Sequence, residues 1–281
     1  MHTTQKTTYT PYGGEESGLA AWKPLLSNLF KCRNMIFYLA RRNIVVKYRQ
    51  SVMGYVWTIM LPLLTVTVAG FLASRRVLTV GDTGMPYILF ALCNLSVWML
   101  FAGILSAATG SLRGVESVVT RINFPRDAIV IASLGQPLVD FLVRLLLVVI
   151  LYIWLDALSA WRILYVLLLI LPLILMALGI GFFLAILNML VHDVSYVLGI
   201  FLTFGVFLAP ILYPPPVTWP YFLVNVLNPV SPYLIAMQDL LVCGCISQPR
   251  LLVAGLIFSV LVFLIGWRIF HLAISRVTER A

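Results

Sequence analysis

Between Tyr55 and Ser74 the chain runs twenty residues without a charged side chain, and five more long apolar stretches follow it. A helix rises 1.5 Å per residue, so about 20 apolar residues carry it across the hydrocarbon of a bilayer. The stretches that meet this length are Tyr55–Ala73, Pro86–Ala108, Ala128–Leu155, Ile163–Leu190, Tyr196–Tyr213 and Leu251–Phe270. Only 10% of the 281 residues are charged and 62% are hydrophobic, whereas a soluble domain carries roughly 25% charged residues. That leaves too little polar surface to cover the chain in water. The sequence predicts an all-α integral membrane protein with six transmembrane helices.

Neither a Gly/Ser-rich linker nor a charged one divides the apolar part, so a single membrane domain is expected over residues 34–270. A polar tail (1–33) precedes it and a short one (271–281) follows. Glu15, Glu16, Lys23, Lys31 and Arg33 make the first tail unlike a cleavable signal peptide.

A seventh apolar stretch is long enough in total but broken. Pro214, Pro215, Pro216, Pro220, Pro229 and Pro232 cut it into pieces shorter than a bilayer. Each proline frees backbone groups that cannot face lipid, so segment 214–242 must be re-entrant, protein-buried or lining water.

Lys and Arg are unevenly shared between the two sides. With the N-terminus inside, 14 of the 19 fall on the cytoplasmic side, 4 on the outer side and Arg144 within a span. Cations are retained inside during insertion, so both termini are expected in the cytoplasm. Arg41, Arg42, Lys47 and Arg49 then crowd the mouth of the first span, where they meet anionic headgroups of membrane lipids. On a helical wheel Lys47 falls opposite the three arginines. A helix with two cationic faces cannot satisfy both on lipid alone, and one face is left for protein.

Reactive clusters are missing from the sequence. His2, His192 and His271 lie far apart, and the acids of the expected outer loops (Asp82, Asp156, Asp239) do not pair. This argues against an enzyme and against a metal site. All four lysines precede the first span and none follows a glycine, so the chain has no phosphate-binding loop. Any ATP-driven work needs another subunit. Nothing suggests a nucleic-acid partner. Asp140 and Arg144, one turn apart, are read as a self-neutralised pair with Arg144 snorkelling to the surface, or as lining for a polar pathway. Cys243 and Cys245 are read as ordinary small residues first, with a strained, exposed disulfide across Gly244 as the alternative.

The basic junction also carries a motif: Lys47, Arg49, Ser51, Gly54, Tyr55, Trp57 and Leu61-Pro62. It resembles the membrane subunits of type-2 ABC exporters for polysaccharides, of the O-antigen and teichoic acid kind. Further likenesses follow in the same order: INFPRD (Ile122–Asp127), VDFLV (Val139–Val143), LAPILYP (Leu208–Pro214) and LNPVSPYLIAMQDLLV (Leu227–Val242). One departure is His192 before Asp193, where such permeases often have a basic residue.

This resemblance implies a homodimer of six-span subunits in a bacterial inner membrane, with two cytoplasmic ABC ATPases that hold the ATP and Mg. It implies an amphipathic interface helix at Asn34–Gln50 and a coupling helix near Ser111–Phe124. Arg41, Arg42, Lys47, Arg49, Arg113, Glu116 and Arg121 would contact the ATPase. Re-entrant helices between spans five and six would form an outer gate around Pro214, Trp219, Pro229 and Pro232. The expected cargo is a lipid-linked polysaccharide, O-antigen first, with teichoic acid or capsule as alternatives and an ATPase-independent channel or flippase as a reading of another kind. Sugars present apolar C–H faces between hydroxyls, so a sliding path suits aromatics. Tyr87, Asn94, Trp98 and Phe101 in span two, with Phe201, Phe204 and Phe207 in span five, are the expected channel lining.

Overall fold

The computed structural model describes residues 27, 29–49, 53–75, 81–113, 126–155, 162–216, 218, 220 and 222–278. They form ten helices: α1 (Arg33–Arg49), α2 (Val56–Ser74), α3 (Tyr87–Gly110), α4 (Arg126–Ala132), α5 (Gly135–Trp154), α6 (Ile163–Leu190), α7 (Val194–Leu208), α8 (Leu223–Leu227), α9 (Ser231–Val242) and α10 (Pro249–Thr278). Five units are long and apolar enough to cross a membrane: α2, α3, α4 with α5, α6 and α10. The fifth expected span, Tyr196–Tyr213, is instead the 15-residue α7. Pro210 explains the early stop: the residue before a proline is driven out of the helical region, and Ala209 is extended at φ −113°, ψ 149°.

Helix α3 is the axis of the bundle. Every residue from Leu89 to Trp98 is buried, as expected of a helix that is apolar all round. It packs on α2, α5, α6, α7 and α9. Its few polar side chains turn back on their own helix: Asn94 Nδ2, Ser96 Oγ and Thr109 Oγ1 donate to the carbonyls four residues earlier, at 2.9, 2.6 and 2.7 Å. Large apolar side chains on α2, α5 and α10 point outward instead, among them Leu64, Phe71, Leu146, Ile153 and Ile257. Faces of this composition suit a hydrocarbon surrounding rather than water.

Small residues set the closest approaches, as is usual where helices associate without a hydrophobic drive from water. At the α6–α10 crossing a Cβ on Gly266 would lie 2.1 Å from the Gly179 carbonyl oxygen. The two backbones therefore touch. Gly205 of α7 meets the Trp98 ring in the same way, with 2.7 Å left for a Cβ.

Helix α1 lies against α4 and α5, with Ala40 seated on Gly135, where a Cβ would find only 2.7 Å. Its two cationic faces separate as the wheel requires. Lys47 Nζ meets Asp140 Oδ2 at 2.9 Å, and the Tyr48 hydroxyl donates to Asp140 Oδ1. Arg41, Arg42 and Arg49 remain exposed. The self-neutralised Asp140–Arg144 pair is thereby corrected: the carboxylate is taken by α1. Arg144 does not snorkel but is 4% exposed, with an Nε that has no hydrogen-bond partner. A second correction concerns Cys243 and Cys245, which are bridged across Gly244 in a left-handed turn at φ +72°.

The helix crossing makes a checkable statement. Gly266→Ala should cost about 1–3 kcal/mol through overpacking and lower the thermal midpoint in detergent. Gly199→Ala, where a Cβ meets nothing within 4 Å, should leave that midpoint unchanged or raise it slightly.

Candidate functional site

A helix that ends inside an apolar layer leaves carbonyls that lipid cannot satisfy. Helix α7 poses this problem, and side chains from three other elements solve it. Tyr213 Oη donates to Phe207 O at 3.0 Å, and Asn228 Nδ2 donates to Leu208 O at 3.2 Å. Gln238 Nε2 reaches Pro210 O at 2.9 Å, and Tyr87 Oη reaches Leu212 O at 3.1 Å. The broken segment after α7 is thus stitched to α3 and α9 rather than free.

Gln238 holds the centre of this arrangement. Its amide nitrogen also donates to Asn94 Oδ1 at 3.0 Å, so one buried side chain joins α9, the α7 terminus and α3. Helix α9 is buried in protein from Ser231 to Gln238. Pro232 sits in its first turn, where the missing N–H costs nothing. Tyr233 Oη and Ser259 Oγ, 2.5 Å apart, tie the same helix to α10. At its other end Arg162 Nη1 donates to Val242 O at 2.8 Å, and Asp239 accepts from Ser247 N at 2.8 Å.

These contacts sort the expected channel residues. Asn94, Trp98 and Phe101 are 0%, 4% and 4% exposed, enclosed by the protomer's own helices. A uniformly apolar helix takes the middle of the bundle, so within the protomer these three side chains, expected from the sequence as channel lining, pack as core. Tyr87 is half-buried and acts as a cap on the chain after α7. Phe201, Phe204 and Phe207 differ. They are 63%, 63% and 65% exposed on the outward side of α7. Pro214 lies against Gly81, Pro229 is half-buried and Pro232 packs near Gly255. Trp219 lies outside the described residues.

At the opposite end a second polar cluster joins α3, α6 and α7. Asn188, wholly buried, donates to Thr109 O at 2.8 Å and accepts from Ser195 Oγ at 2.7 Å, while Arg113 Nε donates to Asn188 O at 3.2 Å. Arg113 therefore braces the start of the loop after α3. Glu116 and Arg121 lie outside the described residues, as does most of the expected coupling helix. Lys47, grouped with Arg41, Arg42 and Arg49 as an ATPase contact, is turned the other way, onto Asp140. Tyr48 stacks on Tyr55 with centroids 3.7 Å apart, which fixes the corner between α1 and α2. Burial first, and then the bond to Asp140, push the Tyr48 hydroxyl up to about 12, so it stays a donor.

The basic helix braced on the third apolar unit and the capped break after α7 lie inside one region of family similarity. Residues 34–242, well over half of the chain, match the model of the ABC-2 type transporter. The chain belongs to that family. The permease is also similar to two proteins named O-antigen export system permease protein RfbA. The one from Myxococcus xanthus is 23% identical over 190 residues, 68% of this chain and 72% of that protein. The one from Klebsiella pneumoniae is 24% identical over 258 residues, 87% of this chain and 93% of that protein. This family supplies the membrane component of transporters, so the permease is a membrane protein and not itself catalytic.

Sequence reasoning missed Gln238 and Asn228, although both stood in the quoted motif as amides among apolar neighbours. Such residues in a membrane interior need partners, and that was the available signal. Gln238→Leu should leave Asn94 Oδ1 and Pro210 O unsatisfied and cost about 1–3 kcal/mol, read as a lowered thermal midpoint in detergent. Asp140→Asn keeps an acceptor for Tyr48 but drops the ion pair, which is half-exposed at Lys47 and worth roughly 0–1 kcal/mol. Trypsin should then cut at Arg41 and Arg42 severalfold faster, with little change in global stability.

Proposed function

We propose that the permease is the membrane subunit of an ATP-driven exporter that moves a lipid-linked polysaccharide, O-antigen first, across a bacterial inner membrane. The observation that carries this reading is the similarity, along most of the chain, to two O-antigen export permeases. In this reading α7 with the residues up to Tyr213 is the fifth of six crossings, and both termini are cytoplasmic. Segment 214–242, which carries α8 and α9, is the re-entrant outer gate.

Two copies would meet through α7. Its outward aromatics, Phe201, Phe204 and Phe207, form an uncovered face beside the capped break, and they are the residues of the original channel set still available to a sliding sugar. Such a chain is too polar and bulky to cross hydrocarbon, so a path between two subunits that opens on demand is required. Force would come from two cytoplasmic ABC ATPases, which hold ATP and Mg. Arg41, Arg42 and Arg49 supply an exposed cationic face for them, and the loop begun by Arg113 supplies a second contact through Glu116 and Arg121. The anchoring of α1 on Asp140 supports this role, because a contact helix that is loose cannot pass on a displacement.

Affinity purification of the permease should bring down a soluble Walker-motif subunit near 1:1. Charge reversal at Glu116 should depress the ATP hydrolysis of that complex, with insertion of the permease unchanged. Recovery of the permease without an ATPase, or glycolipid transport by the permease alone in vesicles, would defeat the reading.

A further inference from the structure

Helices α6 and α10 touch backbone to backbone at Gly179 and Gly266. Towards the end of the bundle that carries the Cys243–Cys245 turn, α9 packs against both of them. The space beside that helix is not filled. An open groove of about 510 Å³ runs there, within the ~300–1,000 Å³ typical of small-molecule sites. Leu168, Leu171, Pro172 and Leu175 of α6 form one wall, and Leu240 of α9 with Leu256 of α10 face them. Leu168 is 73% and Leu171 61% exposed, so the groove opens sideways onto the face that meets hydrocarbon.

Its length and its charged end are informative. From Tyr165 to Leu175 the groove follows ten residue steps of α6, about 15 Å of helix rise. That is half of a ~30 Å hydrocarbon layer, the depth of one leaflet. One turn beyond Tyr165 stands Arg162, whose Nη1 caps α9 while its buried Nε has no hydrogen-bond partner. Arg250, exposed in the first turn of α10, stands two residues before Leu252 of the lining. A trough as deep as a leaflet, apolar along its depth with only the Tyr165 ring breaking its aliphatic lining, and cationic at its polar end, has the pattern of a phospholipid.

We propose that this groove binds an acyl chain of an anionic phospholipid whose phosphate meets Arg162 and Arg250. Transfer of a chain from bilayer to groove gains little from apolar burial, since both are hydrocarbon. Retention must then rest on packing and on the arginines, and the site should discriminate by headgroup charge.

The test uses the full-length permease in mild detergent with equal phosphatidylglycerol and phosphatidylethanolamine, and native mass spectrometry counts the lipids retained. Neither an ATPase nor a glycan is needed, so the result is independent of the transport reading. The unsubstituted protein should keep phosphatidylglycerol in preference. That preference should fall about fivefold with Arg250→Gln, the effect expected for one cation near the surface, and further when Arg162→Gln is added. Leu171→Trp, which fills the groove and leaves both arginines, should abolish retention; because Arg162 also caps α9, Arg250→Gln and Leu171→Trp decide the matter even where the double variant is unstable. Equal retention of the two lipids, or unchanged retention in Leu171→Trp, overturns the proposal.

Discussion

The premature end of α7 is the constraint around which the rest of the bundle is arranged. Pro210 stops the helix after 15 residues, and four carbonyls between Phe207 and Leu212 would face an apolar medium unpaired. Tyr213, Asn228, Gln238 and Tyr87 answer them from the following segment, from α9 and from α3. Once those bonds are required, α9 must lie beside α3, and the chain between must double back. The broken geometry of the 209–242 region is a consequence of carbonyl chemistry as much as of proline stiffness.

Much of this was legible in the sequence, because composition and proline placement act locally. The bilayer-length runs, the basic helix before them and the need to shelter the 214–242 segment all follow from residue type and spacing. What stayed hidden was direction. Nothing in a uniformly apolar run such as α3 says which side faces a neighbour, and its aromatics went to the core. Asp140 could pair along its own helix or across to another. Only packing of Ala40 on Gly135 brings Lys47 and Tyr48 near enough to win it. Amides in apolar surroundings carried a signal, but their partners lay far along the chain, 144 residues apart for Asn94 and Gln238.

The α1 helix illustrates how one ion pair can divide labour on a short element. Lys47 and Tyr48 commit one side to α5, and stacking of Tyr48 on Tyr55 closes the corner with α2. The arginines on the other side are then presented by a fixed platform. The contribution of such a pair to global stability is small because Lys47 is half-exposed. Its value lies in orientation.

Asn188 has a mechanical meaning of a different sort. A single amide, sealed from solvent, grips the last turn of α3 and the first turn of α7 while its own backbone carbonyl is held by Arg113. The α6–α7 corner and the end of α3, 79 residues earlier in the chain at Thr109, thereby share one knot. A tug on the loop beyond Arg113 would not be lost in slack chain; it would be split between α6 and α7, and the second of these leads directly to the broken segment at the far end of the bundle.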